Sequence, residues 1–242
     1  MGFQACRKVG AACILAWAAG AVGATPGPTV ALDVGHGLAE PGATSARGRS
    51  EFEFNRDLAR VLQSVLEARG LAVRPINFAG DIASLQARVE AASGSDFLLS
   101  LHHDSVTAAE LTPWTWEGQE LDYSDLQRGY VLFVSRRNPA LEQSLACASA
   151  IGARLRRLGF VPATHHGDTA IGTHRPWADA QNGVRFYDTL FVISHGDGPA
   201  ALLEAGMLKH REEELALRDP QRQGLMADAI ATGVAACLAA GK

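Results

Sequence analysis

Residues 97–104 read FLLSLHHD, an apolar run that ends in two histidines and an aspartate with no turn residue between. Such a run is short for a helix and does not alternate with polar residues, so it reads as a strand covered on both faces, with its polar end where the sheet stops. The same reading fits TVALDV (29–34), which is closed by Gly35 and followed by His36. It also fits Leu71 to Ile76, GYVLFVS (129–135), TLFVIS (189–194) and PAALLEAG (199–206).

Helical periods separate these runs. Ser50 and Glu53 have capping-box spacing, and Phe54, Leu58, Val61, Leu62 and Val65 follow at helical intervals until Gly70, which predicts a helix over 51–69. Leu85, Val89 and Ala92 share one face of a second helix. Asn138 as N-cap with Pro139 at the first helical position predicts a third, striped by Leu141, Leu145, Ala148, Gly152 and Leu155 and closed by Gly159. Asp219 and Pro220 open a last helix with Met226, Ile230, Val234 and Cys237 inward. Strands alternating with helices imply one α/β domain, a mostly parallel, mixed sheet of about six strands flanked by helices on both faces. Residues 104–128 and 160–188 read as long loops.

The chain has 242 residues, a net charge of -4 and no basic stripe, which excludes nucleic acid and an anionic membrane as principal partners. Arg7 and Lys8 precede the uncharged stretch VGAACILAWAAGAVGA, which ends on small residues. This predicts a signal peptide over 1–24, cut after Ala24, and a periplasmic or secreted mature domain over 25–242. Cys147 and Cys237 then remain, both on apolar helix faces. They are either two buried small hydrophobes or, in an oxidising compartment, a disulfide.

In α/β sheets, ligands bind outside the carboxyl ends of the strands. The groups standing there are His36, Glu51 opening the next helix, His102 or His103, and Glu204. Two imidazoles and one carboxylate form the ligand set of a catalytic zinc with an open position, and a further carboxylate is what its water needs as a general base.

At these residues the chain resembles the zinc-dependent N-acetylmuramoyl-L-alanine amidases of bacterial cell-wall turnover. The motifs match in order: LDVGHG (32–37) with PGA (41–43), Glu51 with Asn55, Leu85 with Arg88 and Ala92, S-x-H-x-D at Ser100, His102 and Asp104, Gly129, and PAALLEAG. The resemblance implies one Zn²⁺ per chain held by His36, Glu51 and His102, with Glu204 as the catalytic glutamate and peptidoglycan as substrate. It selects His102 over His103. Asn55, His103, Asp104 and Arg175 become candidate substrate residues. Departures stand at Asp104 and Ser93, where the pattern has Asn, and at His210, where an Asn commonly follows the last strand.

Trp114 and Trp116 either stack on sugars or cover the core. A monomer is expected, with targeting left to the groove or to a protein activator. A zinc carboxypeptidase or related amidohydrolase would not need the S-x-H-x-D and E-x-x-x-N spacings together. An inactive wall-binding protein should have lost Glu204 or a ligand, and neither is lost. A metal site built on His165, His166 and His174 offers no carboxylate at comparable spacing.

Overall fold

Strand β1 (Thr29–Val34) turns Val30, Leu32 and Val34 to one side of the sheet and Ala31 to the other, all of them buried. In this computed structural model the described residues are 1–2, 27–167 and 174–240. Of the signal peptide expected over 1–24, residues 3–24 lie outside them.

Helix α1 (Glu51–Ala68) buries Phe54, Leu58, Leu62 and Leu66, and Glu53 accepts from the Ser50 backbone N–H (3.3 Å) and hydroxyl (2.9 Å), the predicted box. Strand β2 (Ala72–Ile76), helix α2 (Leu85–Ala92) and strand β3 (Phe97–Asp104) follow as expected. The segment 104–128 is more ordered than a loop, because Thr112–Trp116 (β4) and Gln119–Tyr123 (β5) pair as an antiparallel hairpin. After β6 (Val131–Val134) comes α3 (Leu141–Arg157), which begins two residues beyond Pro139. Asn138 does not cap it. The N-cap is Ala140, whose N–H donates to Asn138 Oδ1 (2.8 Å), while Asn138 Nδ2 donates to the carbonyls of Ile193 (2.9 Å) and Gly198 (3.1 Å) and pins a neighbouring loop.

Two short strands, β7 (Trp177–Asp179) and β8 (Val184–Phe186), lie in the second expected loop. TLFVIS is not a strand. Phe191–Ser194 forms one turn of helix, α4, which covers the sheet with Val192 and Ile193, an ambiguity inherent in short apolar runs. Strand β9 (Ala200–Met207), helix α5 (Arg211–Leu217) and helix α6 (Pro220–Ala240) complete the chain, and Asp219 accepts from the Arg222 N–H at 2.7 Å at the start of α6.

Among the described residues the main sheet has seven strands where about six were expected, in the order β2-β1-β3-β9-β6-β8-β7. Pairing is parallel from β2 through β9 and between β6 and β8, and antiparallel at β6–β9 and β7–β8. Helices α1, α3 and α6 pack over one face, and α2 and α4 over the other. Cys147 of α3 and Cys237 of α6 are joined as a disulfide, Cα atoms 5.0 Å apart and 90 residues apart in sequence, which decides the alternative left open above. The register sets His102 beside Glu204, and the ladder then slips so that Asp104 meets Met207. Side chains alternate, so Asp33, Ser100, His102 and Glu204 share the face carrying α2 and α4.

Candidate metal centre

His36 follows β1 with a left-handed backbone (φ 65°), uncommon for a residue with a β-carbon. Two side chains hold it there. Asn77 Nδ2 donates to the carbonyls of Val34 (2.7 Å) and His36 (2.5 Å). Arg88, buried on α2, donates to Val34 (2.9 Å) and His36 (2.5 Å) through its two Nη atoms, and to Ile82 (2.9 Å) through Nε. The L-x-x-R spacing thus serves a clamp on the turn. A β-carbon on Gly35 would collide with the ring of His102, and one on Gly42 would come 2.6 Å from Glu51 Oε2.

Glu51 is the first residue of α1, where the helix dipole favours a carboxylate. Its Oε2 lies 3.1 Å from His36 Nε2 and its Oε1 lies 3.0 Å from His102 Nδ1. One ligand atom from each of the three falls within 4.8 Å of the others. Burial pushes the Glu51 carboxyl up, but the hydrogen bonds to His102 and His36 outweigh it and hold the group well below the usual range. Backbone N–H groups of Ala43 (3.2 Å) and His103 (3.3 Å) and Asn55 Nδ2 (3.4 Å) also donate to it. The donor set suits zinc: two imidazoles, an ionised carboxylate and further donors that hold the carboxylate in place.

Glu204 differs. Its Oε2 is buried without a hydrogen-bond partner among the described residues. Burial, then the charges of Asp104 and Glu51, raise its pKa well above the ordinary value, and Arg175 opposes the rise. A carboxyl with heightened proton affinity beside an imidazole pair is suited to taking and returning a proton at neutral pH.

The other candidates divide into two groups. Asn55 and His103 lie beneath Glu51, His103 Nδ1 2.7 Å from Asn55 Oδ1, with Asn55 Nδ2 donating to the Gly35 carbonyl at 3.1 Å. They are 0% and 3% exposed, so they brace the ligand from below. Burial pushes the His103 imidazole down to about 3. Asp104 and Arg175, both near enough for their charges to act on Glu204, belong to a cluster that sequence reasoning did not assemble. Asp104 Oδ2 lies 3.0 Å from His165 Nε2 and 2.6 Å from His166 Nε2, and Arg175 Nη1 lies 2.7 Å from His166 Nδ1. His165 and His166 therefore do meet a carboxylate, contrary to expectation, one 61 residues away. His174 is exposed and bonds to the Gly167 carbonyl. The HH pair was the available signal. Asn77, in a plain loop, gave none.

Trp114 and Trp116 stack on each other at 5.4 Å in the hairpin, where Trp114 Nε1 donates to the Ala46 carbonyl and Arg47 lies over both rings. His210, the departure from Asn, caps α5 by accepting from the Glu213 N–H at 3.3 Å, a role either side chain can fill. A cavity of about 540 Å³ opens beside His36 and His102 on the same face, walled by Leu38, Leu85, Phe191 and Leu202.

The family model described as N-acetylmuramoyl-L-alanine amidase (Amidase_3) matches residues 30–236. Among solved structures, the N-acetylmuramoyl-L-alanine amidase of Clostridium difficile 630 superposes with a TM-score of 0.69 at 19% identity, covering 90% of this chain and 100% of that one. Ami1 of Mycobacterium smegmatis gives 0.70 at 20% identity, with 88% and 98% covered. CwlD of Clostridioides difficile, solved with the GerS lipoprotein, gives 0.64 at 19%, with 88% and 99% covered. These likenesses establish the shared fold. No curated protein matches by sequence.

Proposed function

Because the chain belongs to the N-acetylmuramoyl-L-alanine amidase family, we propose that His36, Glu51 and His102 bind zinc and that Glu204 is the catalytic group. The reaction is hydrolysis of the amide between N-acetylmuramic acid and L-alanine in peptidoglycan. The observation that carries the assignment is the convergence of both imidazoles on the two oxygens of one ionised carboxylate, with an unpartnered carboxyl next to His102 in register.

When bound, zinc supplies Lewis-acid polarisation of the scissile carbonyl and acidifies a water to a pKa of about 7. Glu204 Oε2 takes the proton of the attacking water, holds it in a setting that favours the protonated form, and returns it to the departing alanine nitrogen. Glu51 stays ionised throughout, and Arg88 and Asn77 keep His36 turned toward it.

We further propose that residues 1–24 are a signal peptide and that 25–242 work outside the cytoplasm as a monomer. The disulfide supports an oxidising compartment. The CwlD complex with GerS is a precedent for a protein partner. Mass spectrometry of muropeptides tests the central claim: purified protein should release stem peptides beginning with L-alanine, and chelation or Glu204→Ala should stop it. Unchanged release from Glu204→Ala would remove the catalytic assignment.

A further inference from the structure

Asp104, His165, His166 and Arg175 form a chain of polar contacts beside Glu204 that the hydrolysis above does not use. Two of its atoms, His165 Nδ1 and Arg175 Nε, are buried without a partner among the described residues, as is Glu204 Oε2. Unpaired buried groups are rare enough to ask what pairs with them.

A second metal ion is the first candidate, since ligand atoms of Asp104, His165 and His166 all lie within 4.8 Å of one another. Proton placement argues against it. A guanidinium only donates, so His166 Nδ1, 2.7 Å from Arg175 Nη1, must accept. The ring proton then sits on Nε2 and points at Asp104 Oδ2, 2.6 Å away. A metal on Nε2 would force the proton onto Nδ1, against the guanidinium. The cluster is instead a frame for Arg175. The Arg175 N–H donates to the His166 carbonyl (3.0 Å), the Arg175 carbonyl accepts from Arg185 (2.6 Å), and the guanidinium lies 3.9 Å over the Tyr187 ring.

We infer that this held guanidinium is a carboxylate-binding subsite for the stem peptide, and that it reads the free α-carboxylate on the residue after the alanine. This rests on the amidase reading. In peptidoglycan that second residue is D-glutamate linked through its side chain, so its α-carboxylate is the first anion past the scissile bond. A planar cation held by stacking and hydrogen bonds is matched to a planar anion. Amidation of that carboxylate removes the charge, so the subsite also separates acid from amidated wall.

The test is calorimetric titration of zinc-loaded Glu204→Gln protein with two muramyl dipeptides, one carrying D-glutamate and the other D-isoglutamine. A charge-assisted pair implies that the acid form binds about tenfold to a hundredfold more tightly. Arg175→Gln should shrink that preference to about twofold or less, and Arg175→Lys should keep part of it. Equal affinity for the two ligands, or a preference that survives Arg175→Gln, overturns the subsite. So does a second zinc per chain that is lost in His166→Asn. If neither ligand binds, the subsite falls, and digestion of peptidoglycan by wild-type protein decides separately whether the amidase reading falls with it.

Discussion

Replacing Arg88 by methionine keeps the volume of the side chain and removes its donors. Arg88 is 4% exposed and makes three hydrogen bonds, to Ile82, Val34 and His36, with Asp33 Oδ1 3.6 Å from its Nη1. Bonds from a charged donor contribute roughly 1.5–3 kcal/mol each. Asn77 still holds two of the three carbonyls. The remaining loss is the Ile82 bond together with a buried carboxylate stripped of its counter-charge, so about 3–5 kcal/mol of stability should disappear at pH 7. Burial raises the Asp33 pKa and Arg88 opposes it. Without the arginine the folded-state pKa rises further, so protonation relieves the penalty as pH falls, and the deficit should be smaller at pH 5 than at pH 8. Zinc affinity should drop about 10- to 100-fold, because the strained His36 backbone loses half of its clamp. Urea unfolding across pH and competition with a chelator measure both. A variant within about 1 kcal/mol of wild type that binds zinc with unchanged affinity would refute the clamp.

Gly35→Ala should push the His102 ring out of place, cutting bound zinc at least tenfold by elemental analysis while circular dichroism stays native; full zinc occupancy would contradict the close approach. Glu204→Gln should raise the melting temperature of chelator-treated protein. The raised carboxyl stabilises the fold at pH below its unfolded value and loses that contribution as pH rises through the folded one, so the variant's advantage should grow from pH 5 to pH 8, reaching about 2–4 °C for about 1 kcal/mol. An advantage that shrinks with rising pH would reverse the assigned sign. Reduction of the Cys147–Cys237 bond, or its replacement by two alanines, should cost about 2–4 kcal/mol because the bond closes a long loop. Calorimetry with and without reductant measures this, and no change in melting would mean that the bond constrains little.

Strands made of continuous apolar residues and helices with boxes at their starts were legible, because local pattern and burial agree in β1, α1 and β3. TLFVIS was not, since the three buried residues Val192, Ile193 and Ser194 satisfy a helix turn as well as a strand. Strands β7 and β8 have three residues each, too few for alternation to register. At the site, the zinc candidates were readable from their places after strands, and His102 was separated from His103 by the family pattern alone. Their opposite environments, His102 against Glu51 and His103 over Asn55, follow from strand alternation once the sheet exists. The partnership of Asp104 with His165 and His166 depends on a loop returning across the sheet, which no local pattern encodes.

Strand β9 sits in the middle of the sheet yet is the last strand in the chain. Its pairing of Ala200 with Leu98 joins residues 102 positions apart (200 minus 98), and its other neighbour, β6, also precedes it. Long-range pairing is slow, and here it waits until residue 200 has been synthesised. During biosynthesis, His36, Glu51 and His102 are all present long before Glu204 arrives. A nascent or proteolytically shortened chain that ends before β9 therefore holds His36, Glu51 and His102 but not Glu204, and it lacks the strand that joins the two halves of its sheet. On the proposed assignment of Glu204, competence to cut appears only when this last-made strand docks between its two neighbours.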